Sequence, residues 1–124
     1  FLVNLFFRVF PLPKKSGFRR SFAYAGECID RGESVLVFPE GSRARRGHMN
    51  MGRFKPGIGV LAKALNVPVI PVKLEGLYAL KRRRQYFAGS GMVRVIFGAP
   101  VTFNSDASAA EIANELEERV STLS

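Results

Sequence analysis

The polar stretch best suited to chemistry lies between two apolar runs, at residues 39–56. It holds Glu40, Gly41, Ser42 and Arg43 in succession. A glycine lets the backbone approach a ligand closely, a serine offers a hydroxyl, and an arginine can bind two phosphate oxygens with its planar guanidinium group. These residue types in this order predict a small anion-binding cradle. The alternative is a solvated basic loop with an exposed carboxylate.

Glu40 is an acid among cations, since Arg and Lys side chains recur along the same stretch. A carboxylate in such surroundings is stabilised by a nearby positive charge or by hydrogen bonds to its charged form. We therefore expect Glu40 to pair with an Arg, or to accept a hydrogen bond from a substrate hydroxyl or a backbone donor.

The net charge of +9 is unevenly distributed along the chain. Residues 1–105 hold 18 Lys and Arg against 5 Asp and Glu, whereas the last 19 residues carry a net charge of −4. The basic part is expected to attract anions, and the phosphates of lipids, small metabolites and nucleic acids all remain open. The single cysteine, Cys28, excludes an internal disulfide and is expected to have a structural role.

Helix and strand patterns alternate around the polar stretch. Apolar residues recur at helical spacing from Phe18 to Ile29, and Gly32 follows them as a C-terminal stop. Residues 35–38 form a short apolar run, which is typical of a buried strand. The further predicted elements are a helix at residues 57–65 and strands at residues 69–74 and 93–97.

The order strand, helix, strand predicts an α/β fold, in a single domain over residues 1–124. Residues 35–38 and 69–74 are expected to be adjacent and parallel, with the helix crossing between them, because such crossovers have one preferred hand. Ligands of α/β folds gather at the carboxyl ends of strands, and the polar stretch leaves such an end. The elements therefore place it where a site is expected.

The end of the chain predicts an amphipathic helix. Ser108 and Glu111 have the spacing of a capping box, in which each side chain bonds the other residue's backbone N–H. The apolar residues that follow at helical spacing are Ile112, Leu116, Val120 and Leu123. The acidic residues between them are expected to face solvent.

Three segments resemble motifs of the phospholipid/glycerol acyltransferase family, which includes the lysophosphatidic acid acyltransferases. Residues 38–43, Phe-Pro-Glu-Gly-Ser-Arg, resemble the family's Phe-Pro-Glu-Gly-Thr-Arg block, and Ser42 keeps the hydroxyl of its Thr. Residues 54–57, Phe-Lys-Pro-Gly, resemble its Phe-Lys-x-Gly, and residues 67–72, Val-Pro-Val-Ile-Pro-Val, resemble its last conserved block. The resemblance runs from about the start of the chain to Phe103.

The resemblance implies transfer of a fatty acyl group from an acyl-CoA or acyl-carrier-protein thioester to the hydroxyl of a lysophospholipid or glycerol-phosphate acceptor, in phospholipid biosynthesis. It implies a partial acyltransferase domain with a mixed, mostly parallel sheet flanked by helices, and no cofactor beyond the acyl donor. The acceptor-binding residues that it implies are Glu40, Gly41, Ser42, Arg43 and, as a second phosphate contact, Lys55.

The family's general base is absent from this sequence. That base is a His followed, after four residues, by an Asp. The only histidine here, His48, lies after the 38–43 block, and the fifth residue beyond it is Arg53. The chain is therefore expected to be an N-terminally truncated domain that is inactive by itself. The alternative is a phosphate- or lipid-binding relative without catalysis. The sequence also leaves open whether the chain is fused to, or follows, an acyl-activating domain.

A further family block ends in Arg, and residues 9–14, Val-Phe-Pro-Leu-Pro-Lys, are its nearest match here. Lys14 would then supply the positive charge of that Arg in acceptor binding, without its planar, two-donor geometry. A basic turn between two elements is the alternative.

The basic run at residues 81–84, followed by Gln-Tyr-Phe, has the mixture that single-stranded nucleic-acid binders use. It has no helix-turn-helix, zinc-finger or RNP-like motif beside it, and the same composition suits a surface that docks on anionic lipid. A simple solvated loop is a further alternative for this run. The apolar run at residues 1–7 is too short to span a membrane. We therefore expect a cytoplasmic protein, peripheral at the inner face of a membrane, and no nucleic-acid partner.

Overall fold

The computed structural model describes residues 18–41, 51–77 and 91–124. Its backbone divides into two compact units, Phe1–Val37 and Phe38–Ser124.

The described part of the first unit is built on one helix. Helix α1 spans Phe18–Asp30 and buries Ser21, Ala25 and Cys28 along one face. The helix ends as the sequence predicts, because Gly32 has a φ of 78° and its N–H bonds the carbonyl of Ile29 at 2.8 Å. The N–H of Glu33 reaches the carbonyl of Cys28 at 2.9 Å, which completes a Schellman motif. Burial of Cys28 fits the structural role expected for it.

The predicted strand at residues 35–38 is wrong. These residues belong to no strand, and Leu36 and Phe38 are 75% and 65% exposed. An apolar run of this length makes a strand only where a neighbouring strand completes its backbone hydrogen bonds. Parallel pairing of residues 35–38 with 69–74 is therefore wrong as well.

The described sheet has two antiparallel strands, β1 at Val72–Glu75 and β2 at Arg94–Phe97. Strand β1 is shorter than the predicted 69–74, because Val69 and Val101 form a separate bridge whose two N–H···O bonds are both 2.8 Å long. Between the bridge and the strands, the carbonyl of Pro71 accepts a bond from Gly98, although Pro71 itself has no N–H to donate. The predicted strand at 93–97 is confirmed for residues 94–97.

The described residues of the second unit include two helices that pack together, α2 at Gly57–Leu65 and α3 at Ala109–Thr122. Helix α2 ends at Asn66, which has left-handed backbone angles. Helix α3 begins with the predicted capping box: the Ser108 hydroxyl accepts from the N–H of Glu111 at 3.1 Å, and the Glu111 carboxylate accepts from the N–H of Ser108 at 2.8 Å. Among the described residues of this unit, the buried apolar side chains include Leu61, Val101, Ile112, Ala113, Leu116 and Val120.

Candidate functional site

Residues 38–41 form a tight turn at the start of the candidate site. The N–H of Gly41 bonds the carbonyl of Phe38 at 3.3 Å. Pro39 and Gly41 occupy the second and fourth positions, where a type I turn favours Pro and Gly. Gly41 has a φ of 65°, a left-handed conformation that costs other residues roughly 1–2 kcal/mol. The turn thus explains why a glycine follows Glu40.

Glu40 accepts a backbone hydrogen bond, one of the partners expected for it. The N–H of Gly52 donates to Oε2 of Glu40 at 2.7 Å. The carboxylate therefore joins the turn to the segment that precedes helix α2. Direct contact of Glu40 with a substrate stays a prediction.

Lys55 lies against the same turn. Its N–H donates to the carbonyl of Pro39 at 3.0 Å. Its side chain passes over Gly41, since a Cβ built on Gly41 would lie 3.1 Å from Cδ and Cε and 3.5 Å from Nζ. Two separate family-like segments are thus brought together, the first through residues 39 and 41 and the second through Lys55. The exposed ammonium group beside a bare glycine backbone can attract an anion.

The other predicted site residues lie outside the described residues. These are Lys14, Ser42 and Arg43. His48 and the basic run at 81–84, which are not assigned to the site, also lie outside the described residues. Ser42 and Arg43 follow Gly41 directly in sequence.

Glu117 is a site neighbour that the sequence reasoning missed. This residue of α3 accepts the N–H of Phe54 on Oε2 at 2.8 Å, across 63 positions of sequence. Its Oε1 lies 3.9 Å from Nε of Arg53, and its side chain is 26% exposed. The expectation that the acids of this helix face solvent is wrong for Glu117. A signal was present: Glu117 stands four residues after Ala113 and three before Val120, at the margin of the apolar stripe.

No group of three or more His, Cys, Asp or Glu side chains within residues 18–41, 51–77 and 91–124 could hold a metal ion. Across those same ranges, every helix is too short or too polar to cross a bilayer.

Gly41→Ala is expected to weaken binding of an anion at this turn. An added Cβ would press on the Lys55 side chain, and the left-handed backbone would become strained by roughly 1–2 kcal/mol. Gly32→Ala is the matched control, because Gly32 also has a positive φ but has no atom within 4 Å of a built Cβ. Urea unfolding should show similar losses for both variants, and calorimetric titration with phosphate should weaken only for Gly41→Ala. Equal phosphate affinity in the two variants would show that the position of the Lys55 side chain over Gly41 does not matter for phosphate binding.

Comparison with known proteins identifies the fold and the family. The Acyltransferase family model matches residues 6–75. The crystal structure of the 1-acyl-sn-glycerophosphate (LPA) acyltransferase PlsC from Thermotoga maritima superposes with a TM-score of 0.70 at 30% identity, over 83% of this chain and 44% of that one. This similarity confirms the α/β glycerolipid acyltransferase fold predicted from the sequence.

Two curated relatives are 1-acyl-sn-glycerol-3-phosphate acyltransferases. The chloroplastic BAT2 protein of Brassica napus is 32% identical over 100 residues, which cover 79% of this chain and 28% of the relative. The Pseudomonas aeruginosa protein is 44% identical over 46 residues, or 37% of this chain and 17% of the relative. The chain thus spans less than a third of the length of these relatives. Because the family model covers more than half of its residues and a solved member shares its fold, this chain belongs to the acyltransferase family that includes the PlsC-like lysophosphatidic acid acyltransferases.

Proposed function

We propose that this chain is the acceptor-binding part of an acyltransferase that acylates a 1-acylglycerol 3-phosphate in phospholipid biosynthesis. In that reaction the acceptor hydroxyl attacks the carbonyl carbon of an acyl-CoA or acyl-carrier-protein thioester. An ester C–O bond forms, the C–S bond breaks, the thiol leaves, and a general base takes the hydroxyl proton. The part assigned to this chain is recognition of the acceptor phosphate.

One observation carries the proposal: the Lys55 ammonium group lies beside Gly41, next to Glu40 in the family's Phe-Pro-Glu-Gly block. A lysine binds phosphate as a compact charge, whereas an arginine adds a planar pair of donors. Arg43 follows two residues after Gly41, and we assign it the second role. Ser42 would add a hydroxyl donor, and Glu40 would keep the turn in place through Gly52.

The proposed attachment of the protein to a membrane depends on its positive charge. The excess of cations in residues 1–105 would hold the protein on an anionic surface at the cytoplasmic face of a membrane, where the lysophospholipid resides. The basic run at 81–84 is assigned to this attachment and not to the acceptor site.

Arg43→Lys is expected to weaken binding of a short-chain, monomeric lysophosphatidic acid by about 10- to 100-fold. The lysine keeps the charge but loses one charge-assisted hydrogen bond of roughly 1.5–3 kcal/mol, and each 1.4 kcal/mol is a factor of about ten in affinity. Binding of the corresponding monoacylglycerol, which has no phosphate, should be nearly unchanged. Isothermal titration calorimetry on the 124-residue chain measures both constants.

Arg82→Ala is the control for a diffuse basic surface. It should weaken co-sedimentation with anionic vesicles in a salt-dependent way and leave the affinity for monomeric lysophosphatidic acid unchanged. Equal, salt-sensitive losses in Arg43→Lys and Arg82→Ala would contradict the site assignment. Tight binding of single-stranded nucleic acid that both variants weaken would favour a nucleic-acid module.

A binding-only relative is the second candidate function. The observation behind it is that the sole histidine of this sequence, His48, lacks the His-x4-Asp spacing. This candidate shares the phosphate site and differs only in the absence of acyl transfer.

A further inference from the structure

We infer that Glu117 of helix α3 is a positioning residue for the phosphate-binding lysine, an inference that depends on the proposed function. Among the described residues, Glu117 has a hydrogen bond to Phe54 and an ion pair with Arg53, and neither with Lys55 or the turn. It acts through the backbone of Phe54, the residue immediately before Lys55.

The segment that carries Lys55 is held from two sides. On one side, the turn accepts two of its N–H groups: Gly52 donates to Glu40 at 2.7 Å and Lys55 donates to Pro39 at 3.0 Å. On the other side, Phe54 donates to Glu117 at 2.8 Å. The three donors lie within four consecutive residues, so the backbone at Lys55 is held in place.

The bond to Glu117 differs from the other two in what it attaches. Glu40 and Pro39 are part of the turn itself, and their bonds would allow the turn and the 52–55 segment to move together. Glu117 belongs to a 14-residue helix whose neighbouring side chains Ala113, Leu116 and Val120 are buried. The bond to Phe54 therefore fixes the 38–41 turn and the 52–55 segment to helix α3, whose apolar face is buried.

The chemistry of this bond suits a positioning role. A carboxylate that accepts a backbone N–H makes a charge-assisted bond, which is stronger than a bond between neutral groups. Glu117 is only partly exposed, so water competes less well for its oxygens than at a fully exposed site. The ion pair with Arg53 contributes little, because that arginine is 89% exposed and the separation is 3.9 Å.

A set of variants tests this role in the 124-residue chain. Glu117→Ala removes the acceptor, Glu117→Gln keeps an oxygen that can accept the Phe54 N–H, and Glu118→Ala is the matched control at an exposed position of the same helix. Lys55→Ala reports on the phosphate site itself. The readouts are the dissociation constant for short-chain lysophosphatidic acid and the amide hydrogen-exchange rate of Phe54, both measured at low temperature where every variant is folded.

We expect Glu117→Ala to weaken lysophosphatidic acid binding by about tenfold, because Lys55 would then occupy its binding position in only about a tenth of the folded molecules. Exchange of the Phe54 amide should become at least about tenfold faster. Glu117→Gln should restore part of the affinity, because its neutral oxygen makes a weaker bond, and Glu118→Ala should match the wild type in both measurements. Loss of stability alone would lower the melting temperature without changing the affinity of the folded protein.

Two outcomes overturn the inference in distinguishable ways. If Lys55→Ala weakens binding and Glu117→Ala does not, the phosphate site stands and only the positioning role is wrong. If the wild type does not bind lysophosphatidic acid, or Lys55→Ala binds as tightly as the wild type, the proposed function is wrong and the positioning role falls with it.

Discussion

Gly59→Ala is expected to lower the free energy of unfolding by about 2 kcal/mol. Gly59 is buried in α2, and a Cβ built there would lie far inside van der Waals contact of the Ala109 carbonyl oxygen. The obstructing atoms are backbone atoms at the start of α3, so no side chain can rotate away. Overpacking of a core typically costs 1–3 kcal/mol, and only about 0.5–1 kcal/mol returns from the better helix propensity of alanine.

Gly57→Ala is the matched control for that prediction. It makes the same change in the same helix, but no atom lies within 4 Å of a Cβ built at Gly57. Urea denaturation should show unchanged or slightly higher stability for Gly57→Ala beside the loss in Gly59→Ala. If both variants are as stable as the wild type, the two helices do not meet through Gly59.

The purified 124-residue chain is expected to transfer acyl groups at least about 100- to 10,000-fold more slowly than a relative that carries the general base. A positioned base contributes a factor of this size to catalysis. His48 cannot supply it by the family's pattern, because the fifth residue after it is Arg53 and not Asp. The rate of transfer from acyl-CoA to lysophosphatidic acid is measured from the amount of free thiol released. The Pseudomonas aeruginosa relative is the positive control in the same assay.

Turnover by this chain at a rate near that of the relative would contradict the prediction. In that case His48→Ala would decide whether His48 is the base, since its removal should then abolish the activity. Lysophosphatidic acid binding without turnover is the result that fits the proposed acceptor-binding role.

Features that depend on a few neighbouring residues were predictable from the sequence. The capping box at Ser108, the glycine stop at Gly32 and the helix at 57–65 all follow from side-chain and backbone preferences within one or two helical turns. The family-like block at 38–43 likewise indicated where a site should be. The Phe-Lys-x-Gly match at residues 54–57 indicated Lys55, because that match is local as well.

Features that depend on which distant segments meet were decided only by the tertiary structure. Residues 35–38 look like a buried strand, but an apolar run does not specify a partner, and β1 pairs instead with β2 in the antiparallel sense. Helical periodicity shows that Glu117 lies beside the apolar stripe, but it does not show that the N–H of Phe54 would be brought there from 63 positions away. The sequence by itself therefore determined the helices, their ends and the residue types of the candidate site. The long-range hydrogen bonds that place Lys55 over Gly41 depend on packing between segments that local sequence does not encode.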